Sequence, residues 1–119
     1  MFSMVPMAVN IPNPYASRAD SLKSKSPELI GDFLLYGSDN GGKLYPAFPG
    51  WGCPCVVNQT TPVFGFDGWP LLDEPLHPGD LREKVGFVFL TQEGAETMRN
   101  VEKFYLWEGK FVGEVSVLR

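Results

Sequence analysis

The chain has 119 residues and a mass of 13.2 kDa, which suits one domain and leaves little room for two. Its 13 glycines and 11 prolines are roughly twice the ordinary share of these residues, which excludes a fold built on long helices. The 44% hydrophobic content excludes a wholly disordered chain, and the net charge of −4 argues against unaided binding to nucleic acid, which usually needs a basic surface.

The first 26 residues are predicted to form an N-terminal arm, separate from a β-barrel domain at residues 27–119. Residues 1–11 are moderately apolar and suit an edge strand or a packing arm, whereas residues 17–26 are polar and rich in serine and lysine. Such a stretch is poorly ordered unless it docks on the body of the protein, so a flexible arm and a docked arm both remain open. An arm that added a strand to a neighbouring barrel would produce a homo-oligomer.

From Pro27 onwards, short apolar runs alternate with turn signals, as they do in sandwiches and barrels. Runs rich in β-forming residues predict strands at 28–36, 55–58 and 63–66. Stretches rich in glycine, proline and aspartate predict loops at 37–42, 67–68 and 71–78. Residues 44–48 suit a short edge segment, because Pro46 cannot donate to a ladder, and Pro78-Gly79-Asp80 predicts a tight turn.

The last third of the sequence has the clearest pattern. Residues 85–90 and 104–107 predict strands, and residues 92–101 are the one place where a helical turn is expected. Glu108-Gly109 predicts a hairpin turn, and the alternation of residues 110–117 predicts a half-buried strand after it.

These predicted strands are short, and each must hide its edges from other chains. Closure into a barrel removes the edges, and glycine-punctuated strands supply the alternating large and small residues that a barrel interior needs. The sequence therefore predicts an all-β fold, a closed barrel of about six strands.

Cysteine content and targeting signals indicate the compartment. Two cysteines are too few for a disulfide framework and suit a reducing environment. The N-terminal residues lack the basic start and unbroken apolar run of a signal peptide, and no stretch approaches the length of a membrane span. We therefore expect a cytoplasmic protein without membrane contact.

The charge is uneven along the sequence, because residues 1–60 carry four acids and four bases, whereas residues 61–119 carry ten acids and six bases.

Three motifs follow one another along residues 28–119. The first is Gly41-Gly42-Lys43, followed by Pro46, Phe48 and Gly50-Trp51. The second is Pro78-Gly79-Asp80 before a long strand, and the third is the closing hairpin from Phe104 to Val115. In this order and spacing they resemble the C-terminal, third barrel domain of elongation factor Tu.

The resemblance implies a six-stranded antiparallel Greek-key closed barrel. In that family the barrel helps to hold the T arm of aminoacyl-tRNA and contacts the GTPase domain and the exchange factor. Carried over by position, the contact residues would be Lys43, Trp51 and Lys110. The sequence has no Gly-x-x-x-x-Gly-Lys-Ser/Thr loop to cradle phosphates, so the resemblance concerns the barrel alone.

Cys53-Pro54-Cys55 is the most unusual local feature of the sequence. It suits a redox pair or half of a zinc site, although a zinc site would need further ligands and His77 is the only histidine. The alternative is two small apolar residues on one face of a strand, separated by an edge proline. We favour this alternative, and we predict no metal, no cofactor and no catalytic residue, with His77 in a surface loop.

The candidate partner-binding residues are Lys43, Trp51, Trp69 and Lys110. The two tryptophans belong to an aromatic cluster in the sequence, for which a place in the core is favoured over an exposed binding surface: Tyr45, Trp51, Phe64, Phe66 and Trp69. Trp51 and Trp69 lie in loops beside glycine and proline, so they are expected to be the most exposed of the five. We expect a non-enzymatic barrel that binds a macromolecule, with a protein partner favoured over RNA because the chain is acidic. The alternatives are tRNA binding, as in the resembled family, and a thiol enzyme that uses Cys53 and Cys55.

Overall fold

A computed structural model describes residues 12–119. The strands, in chain order, are β1 (Leu29–Leu35), β2 (Cys53–Val56), β3 (Phe66–Pro70), β4 (Leu81–Phe89), β5 (Lys103–Trp107) and β6 (Phe111–Val117). The helices are α1 (Ala16–Leu22), α2 (Gln92–Arg99) and a single 3-10 turn at Ser38–Asn40. No helix within the described range is long and apolar enough to cross a membrane.

The strands close into an antiparallel barrel in the order β1-β4-β3-β2-β5-β6. Strands β2, β3 and β4 are consecutive neighbours. A long connection leads from β1 to β2, and β1 itself pairs with the outer side of β4, which is a Greek-key arrangement. The all-β closed barrel predicted from the sequence is thus confirmed. Because each described strand has a hydrogen-bonded neighbour on both sides, none offers a wholly free edge for strand addition. The apolar stretch predicted at residues 1–11 lies outside the described residues.

The centre of the barrel interior is aromatic, with rings from β1, β4 and β5 surrounded by buried aliphatic side chains. Phe33, Phe87 and Phe104 are each 0% exposed. The ring centroids of Phe87 and Phe104 are 5.5 Å apart, and those of Phe87 and Phe33 are 5.8 Å apart, both in edge-to-face contact. Such pairs add about 0.5–1.5 kcal/mol each to the gain from burial, so this cluster forms the centre of the core.

From the turn at residues 77–80 onwards the elements lie where they were predicted, except that β4 begins at Leu81, four residues earlier than expected. The turn at residues 77–80 is closed by the Asp80 amide, which donates to the His77 carbonyl oxygen (3.0 Å), with Gly79 at φ +92°. Positive φ at the third residue of a turn favours glycine, as the sequence indicated. Helix α2 begins after Thr91, whose Oγ1 accepts a hydrogen bond from the Gly94 amide (3.0 Å).

Strand β3 lies further along the chain than predicted. The run at 63–66 is mostly loop, and Asp67 and Gly68, predicted as loop, lie inside the strand. The prediction was wrong because Gly68 serves packing and not a turn. A Cβ at this position would lie 2.8 Å from the Phe89 ring and 2.9 Å from the Cys55 Sγ, so only glycine lets these side chains meet.

Helix α1 was not expected from the sequence. None of its residues is buried, and the half-buried Ala19 and Leu22 form an apolar stripe only one turn long among serine and charged residues. The segment is nevertheless docked on the barrel, because the Asn13 Nδ2 donates to the Pro49 carbonyl oxygen at 2.8 Å and Tyr15 packs against the core. Asn13 and Tyr15 thus place the described part of the arm in contact with the barrel.

Candidate functional site

A three-residue cluster joins the β1–β2 connection to the β5–β6 hairpin. The Lys43 Nζ lies 2.7 Å from the Glu108 Oε1, and the Trp51 Nε1 donates to the Glu108 Oε2 at 2.8 Å. The Lys43 Nζ also lies 5.2 Å from the centroid of the Trp51 ring, a cation–π distance. Two of the predicted site residues, Lys43 and Trp51, are thus brought together, through a carboxylate that the sequence analysis did not select.

Tight turns hold this cluster in place. A Cβ on Gly42 would lie 2.2 Å from the Tyr36 carbonyl oxygen, so only glycine lets the chain return beside β1 before Lys43. The Trp51 amide donates to the Phe48 carbonyl oxygen (2.9 Å), with Gly50 at φ +93° between them. Two glycines thus direct Lys43 and Trp51 towards Glu108.

Trp51 is not the exposed contact residue that the sequence predicted. It is 1% exposed and stacks on Phe33 with a centroid separation of 6.3 Å. Its neighbouring glycines suggested a surface loop, but Glu108 satisfies the indole N–H and so allows the ring to be buried.

The other predicted contact residues differ in their exposure. The Lys43 side chain is 10% exposed, and its charge is paired with Glu108. Trp69 is half-buried in β3, where the Arg18 guanidinium lies 5.7 Å from its ring centroid. Lys110 is exposed at the hairpin turn. Of the four predicted residues, Lys110 alone is fully on the surface.

The most exposed apolar residues near this cluster follow Lys43 directly. Leu44 is 74% exposed and Tyr45 is 69% exposed. Beside them is a groove of about 290 Å³, here called the Tyr45 groove. It is lined by Pro12, Pro14, Tyr15, Lys43, Tyr45, Pro46 and Phe48. Sequence reasoning placed Tyr45 in an aromatic cluster and favoured the core for it, so this surface was missed. The available signal was the position of Tyr45 directly before a proline, in a loop that follows Lys43.

Cys53 and Cys55 share a face of β2 that points into the barrel. They are 8% and 0% exposed, both are free thiols, and the Cys55 Sγ donates to the Cys53 carbonyl oxygen at 3.7 Å. Burial, and after it the negative charge of Glu108, raises the pKa of Cys53. Burial, and after it the charge of an ionised Cys53, raises the pKa of Cys55. A thiol that resists ionisation is a poor nucleophile and a poor metal ligand, so the prediction of apolar residues on one strand face is confirmed.

Neither thiol is expected to react with a thiol-specific reagent in the folded protein at neutral pH, and both should react once urea unfolds the chain. A Ser24→Cys variant provides the control, because Ser24 is exposed and its thiol should react at once. Rapid modification of either native cysteine in the folded wild type would contradict this burial.

Acidic and imidazole side chains form no metal centre in the described part of the chain. No group of three histidine, cysteine, aspartate or glutamate residues lies close enough to hold a metal ion within residues 12–119. His77 is exposed at the turn before β4, as predicted.

A second polar cluster lies on the outer wall of the barrel. The Tyr36 hydroxyl donates to the Glu114 Oε1 at 2.9 Å, and the Lys103 Nζ lies 2.8 Å from the Glu114 Oε2. Burial, followed by the hydrogen bond and charge of Glu114, raises the pKa of Tyr36 from 10.0 to about 12. The hydrogen bond from Lys103 lowers the pKa of Glu114. This cluster links β5 and β6 to the residue that follows β1.

Tyr36 is expected to ionise near pH 12 in the folded protein, against 10.0 for an ordinary tyrosine. The difference in tyrosinate absorbance between the wild type and Tyr36→Phe isolates this group. Glu114→Gln should lower the pKa of Tyr36, because it removes a neighbouring negative charge, whereas Glu102→Gln, at an exposed carboxylate, should leave it unchanged. Tyr36 titrating at its ordinary value in the wild type would contradict the cluster.

The raised pKa of Tyr36 makes the stability of the folded protein depend on pH. The pKa of Tyr36 is higher in the folded than in the unfolded state, so folding favours the protonated phenol. Its contribution to the free energy of unfolding is complete below pH 10.0 and is lost as the pH rises through about 12.

No protein-family model matches the chain, and no curated protein matches it.

Proposed function

We propose that the protein is a non-enzymatic binding module, a small barrel that holds a protein partner at the Tyr45 groove. The observation that carries this proposal is the Tyr45 side chain, which lines the groove and is 69% exposed, next to Leu44, which is 74% exposed. A tyrosine beside a concave apolar surface is typical of the anchors that dominate protein interfaces.

The backbone that presents these anchors is held firmly. Lys43, the residue before Leu44, is tied to Glu108 and lies over the buried Trp51 ring. Phe48, at the far end of the same loop, accepts the Trp51 amide hydrogen bond. A loop fixed at both ends loses less conformational entropy on binding, which supports a role in recognition.

The charge of the chain supports a basic partner. The net charge is −4, and residues 61–119 carry ten acids against six bases. An acidic surface speeds the approach of a positively charged protein and repels polyanions. We therefore take the partner to be a protein of net positive charge that places an apolar side chain in the Tyr45 groove.

The geometry favours this partner over RNA. Of the residues that the elongation factor Tu resemblance carries over, Trp51 is buried and Lys43 is paired with Glu108, which leaves Lys110 exposed. The three arginines of the second half donate to backbone carbonyl oxygens, namely Arg82, Arg99 and Arg119. Groups engaged in this way are poorly placed to clamp phosphates.

Kinship with the elongation factor Tu barrel and a cytoplasmic location are parts of the same proposal. Two of the motifs that carry the resemblance, the Gly41–Trp51 stretch and the closing hairpin, meet at the Lys43–Glu108 pair. Free thiols at Cys53 and Cys55 are compatible with a reducing compartment.

Site-specific photo-crosslinking tests the proposal. A benzophenone amino acid replaces Tyr45 in one variant and Phe64 in a control, since Phe64 is an equally exposed aromatic (82%) in the β2–β3 connection. We expect one basic protein to be crosslinked from position 45 and not from position 64, with a yield that falls as salt is added. Crosslinks to RNA, to a second copy of the chain or to residues 1–11 of the same chain would each overturn it. Equal crosslinking of the same protein from both positions would also overturn it.

A further inference from the structure

Residues 12–22, here called the strap, form one side of the Tyr45 groove. Pro12, Pro14 and Tyr15 come from the strap, whereas Lys43, Tyr45 and Phe48 come from the β1–β2 connection. The groove therefore exists only while the strap lies on the barrel.

The strap is held by few contacts. Helix α1 has seven residues and buries none of them. Its attachments are the Asn13–Pro49 hydrogen bond of 2.8 Å, the packing of Tyr15 and the Arg18 guanidinium over Trp69 at 5.7 Å. A cavity of about 120 Å³ remains between the helix and the barrel, bordered by Ala19, Leu22, Gly50 and Leu72. A segment attached in this way belongs to the least stable part of a fold.

The backbone of the strap packs directly against Gly50. Its φ is +93°, and a Cβ there would lie 2.5 Å from the Tyr15 carbonyl oxygen and 2.9 Å from the Ala19 amide nitrogen. Both atoms belong to the backbone, so a side chain at residue 50 could be accommodated only if the strap moved away.

We propose that the strap is detachable and that its docking on Gly50 completes the Tyr45 groove, so that strap docking and partner binding are coupled. The inference rests on the proposed function, since it names the regulation of the same site. The coupling is reciprocal: a partner seated in the groove holds the strap down, and release of the strap weakens partner binding by the same factor.

Two matched glycine variants distinguish displacement of the strap from the backbone strain that any side chain causes at positive φ. Gly50→Ala introduces a Cβ that collides with the strap at φ +93°, whereas Gly79→Ala has φ +92° and meets only the Gly37 Cα at 3.9 Å. Both variants carry the strain of alanine at positive φ, and only the first displaces the strap. Asn13→Ala, which removes the hydrogen bond to Pro49, is a milder second variant should Gly50→Ala not fold.

Trypsin cleavage after Arg18 reports strap docking without any ligand. We expect cleavage to be at least about tenfold faster in Gly50→Ala, severalfold faster in Asn13→Ala and unchanged in Gly79→Ala. Equal rates in all variants and the wild type would overturn the detachable strap.

Groove binding is read separately, with the peptide N-acetyl-Lys-Phe-Lys-amide as probe and the backbone amide NMR signals of residues 43–48 as reporter. We expect the peptide to shift these signals in the wild type and in Gly79→Ala, and at least about tenfold less peptide affinity in Gly50→Ala. Undiminished affinity in a variant whose strap is cleaved faster would overturn the coupling and leave the proposed function intact. A wild type whose signals do not shift would overturn the proposed function together with the coupling, and trypsin would still decide whether the strap detaches.

Discussion

Replacing Trp51 with alanine is expected to lower the free energy of unfolding by about 3–5 kcal/mol, the range for removal of a large buried aromatic side chain. The indole is 1% exposed and stacks on Phe33, so its loss leaves a cavity at the edge of the aromatic core. It also removes one of the two side chains that donate a hydrogen bond to Glu108, and the ring beneath the Lys43 ammonium. Urea denaturation followed by circular dichroism measures the change.

The control for this variant is Trp107→Ala. Trp107 is half-buried and packs edge-to-face on Phe111 with a centroid distance of 4.9 Å. Because it lies outside the barrel core, we expect a loss of about 1 kcal/mol. Equal losses at the two tryptophans would show that Trp51 does not occupy the buried position described here.

Replacing Phe87 with alanine should have an effect of similar size, about 3–5 kcal/mol. Phe87 is 0% exposed, and its ring contacts those of Phe33, Phe89 and Phe104. A closely packed interior relaxes only partly around such a void, so the cost includes both lost burial and lost dispersion contacts.

Phe64→Ala is the matched variant for Phe87→Ala, since it removes the same ring from a position that is 82% exposed. Its free energy of unfolding should stay within about 0.5 kcal/mol of the wild type. A cost at Phe64 that matched the cost at Phe87 would contradict the assignment of the core.

The sequence was sufficient to predict the fold class because strand and turn signals are local. The alternation in the sequence of residues 110–117 and the Pro78-Gly79 turn are each contained in a short stretch, although in β6 itself the neighbours Val112 and Gly113 are both buried. Gly68 was misinterpreted because glycine serves both turns and close packing, and Phe89, which requires it, lies on another strand. Helix α1 escaped prediction because none of its residues is buried and its apolar stripe, Ala19 and Leu22, is only one turn long.

The candidate site was harder to predict for a related reason. Burial of Trp51 depends on Glu108, which is 57 residues away in the chain, and no local pattern joins the two. The same holds for Lys43, which turns inward towards Glu108 while the next two side chains, Leu44 and Tyr45, are exposed. Long-range contacts of this kind become visible only in the folded chain.

The most direct test of the account is the dissociation constant for the protein that is crosslinked from position 45, measured with the wild type, Tyr45→Ala and Phe64→Ala. An interface anchor removed by truncation typically costs at least about tenfold in affinity. We expect Tyr45→Ala to bind at least about tenfold more weakly and Phe64→Ala to bind as the wild type does. Wild-type affinity in Tyr45→Ala, or equal losses in the two variants, would contradict recognition through the Tyr45 groove.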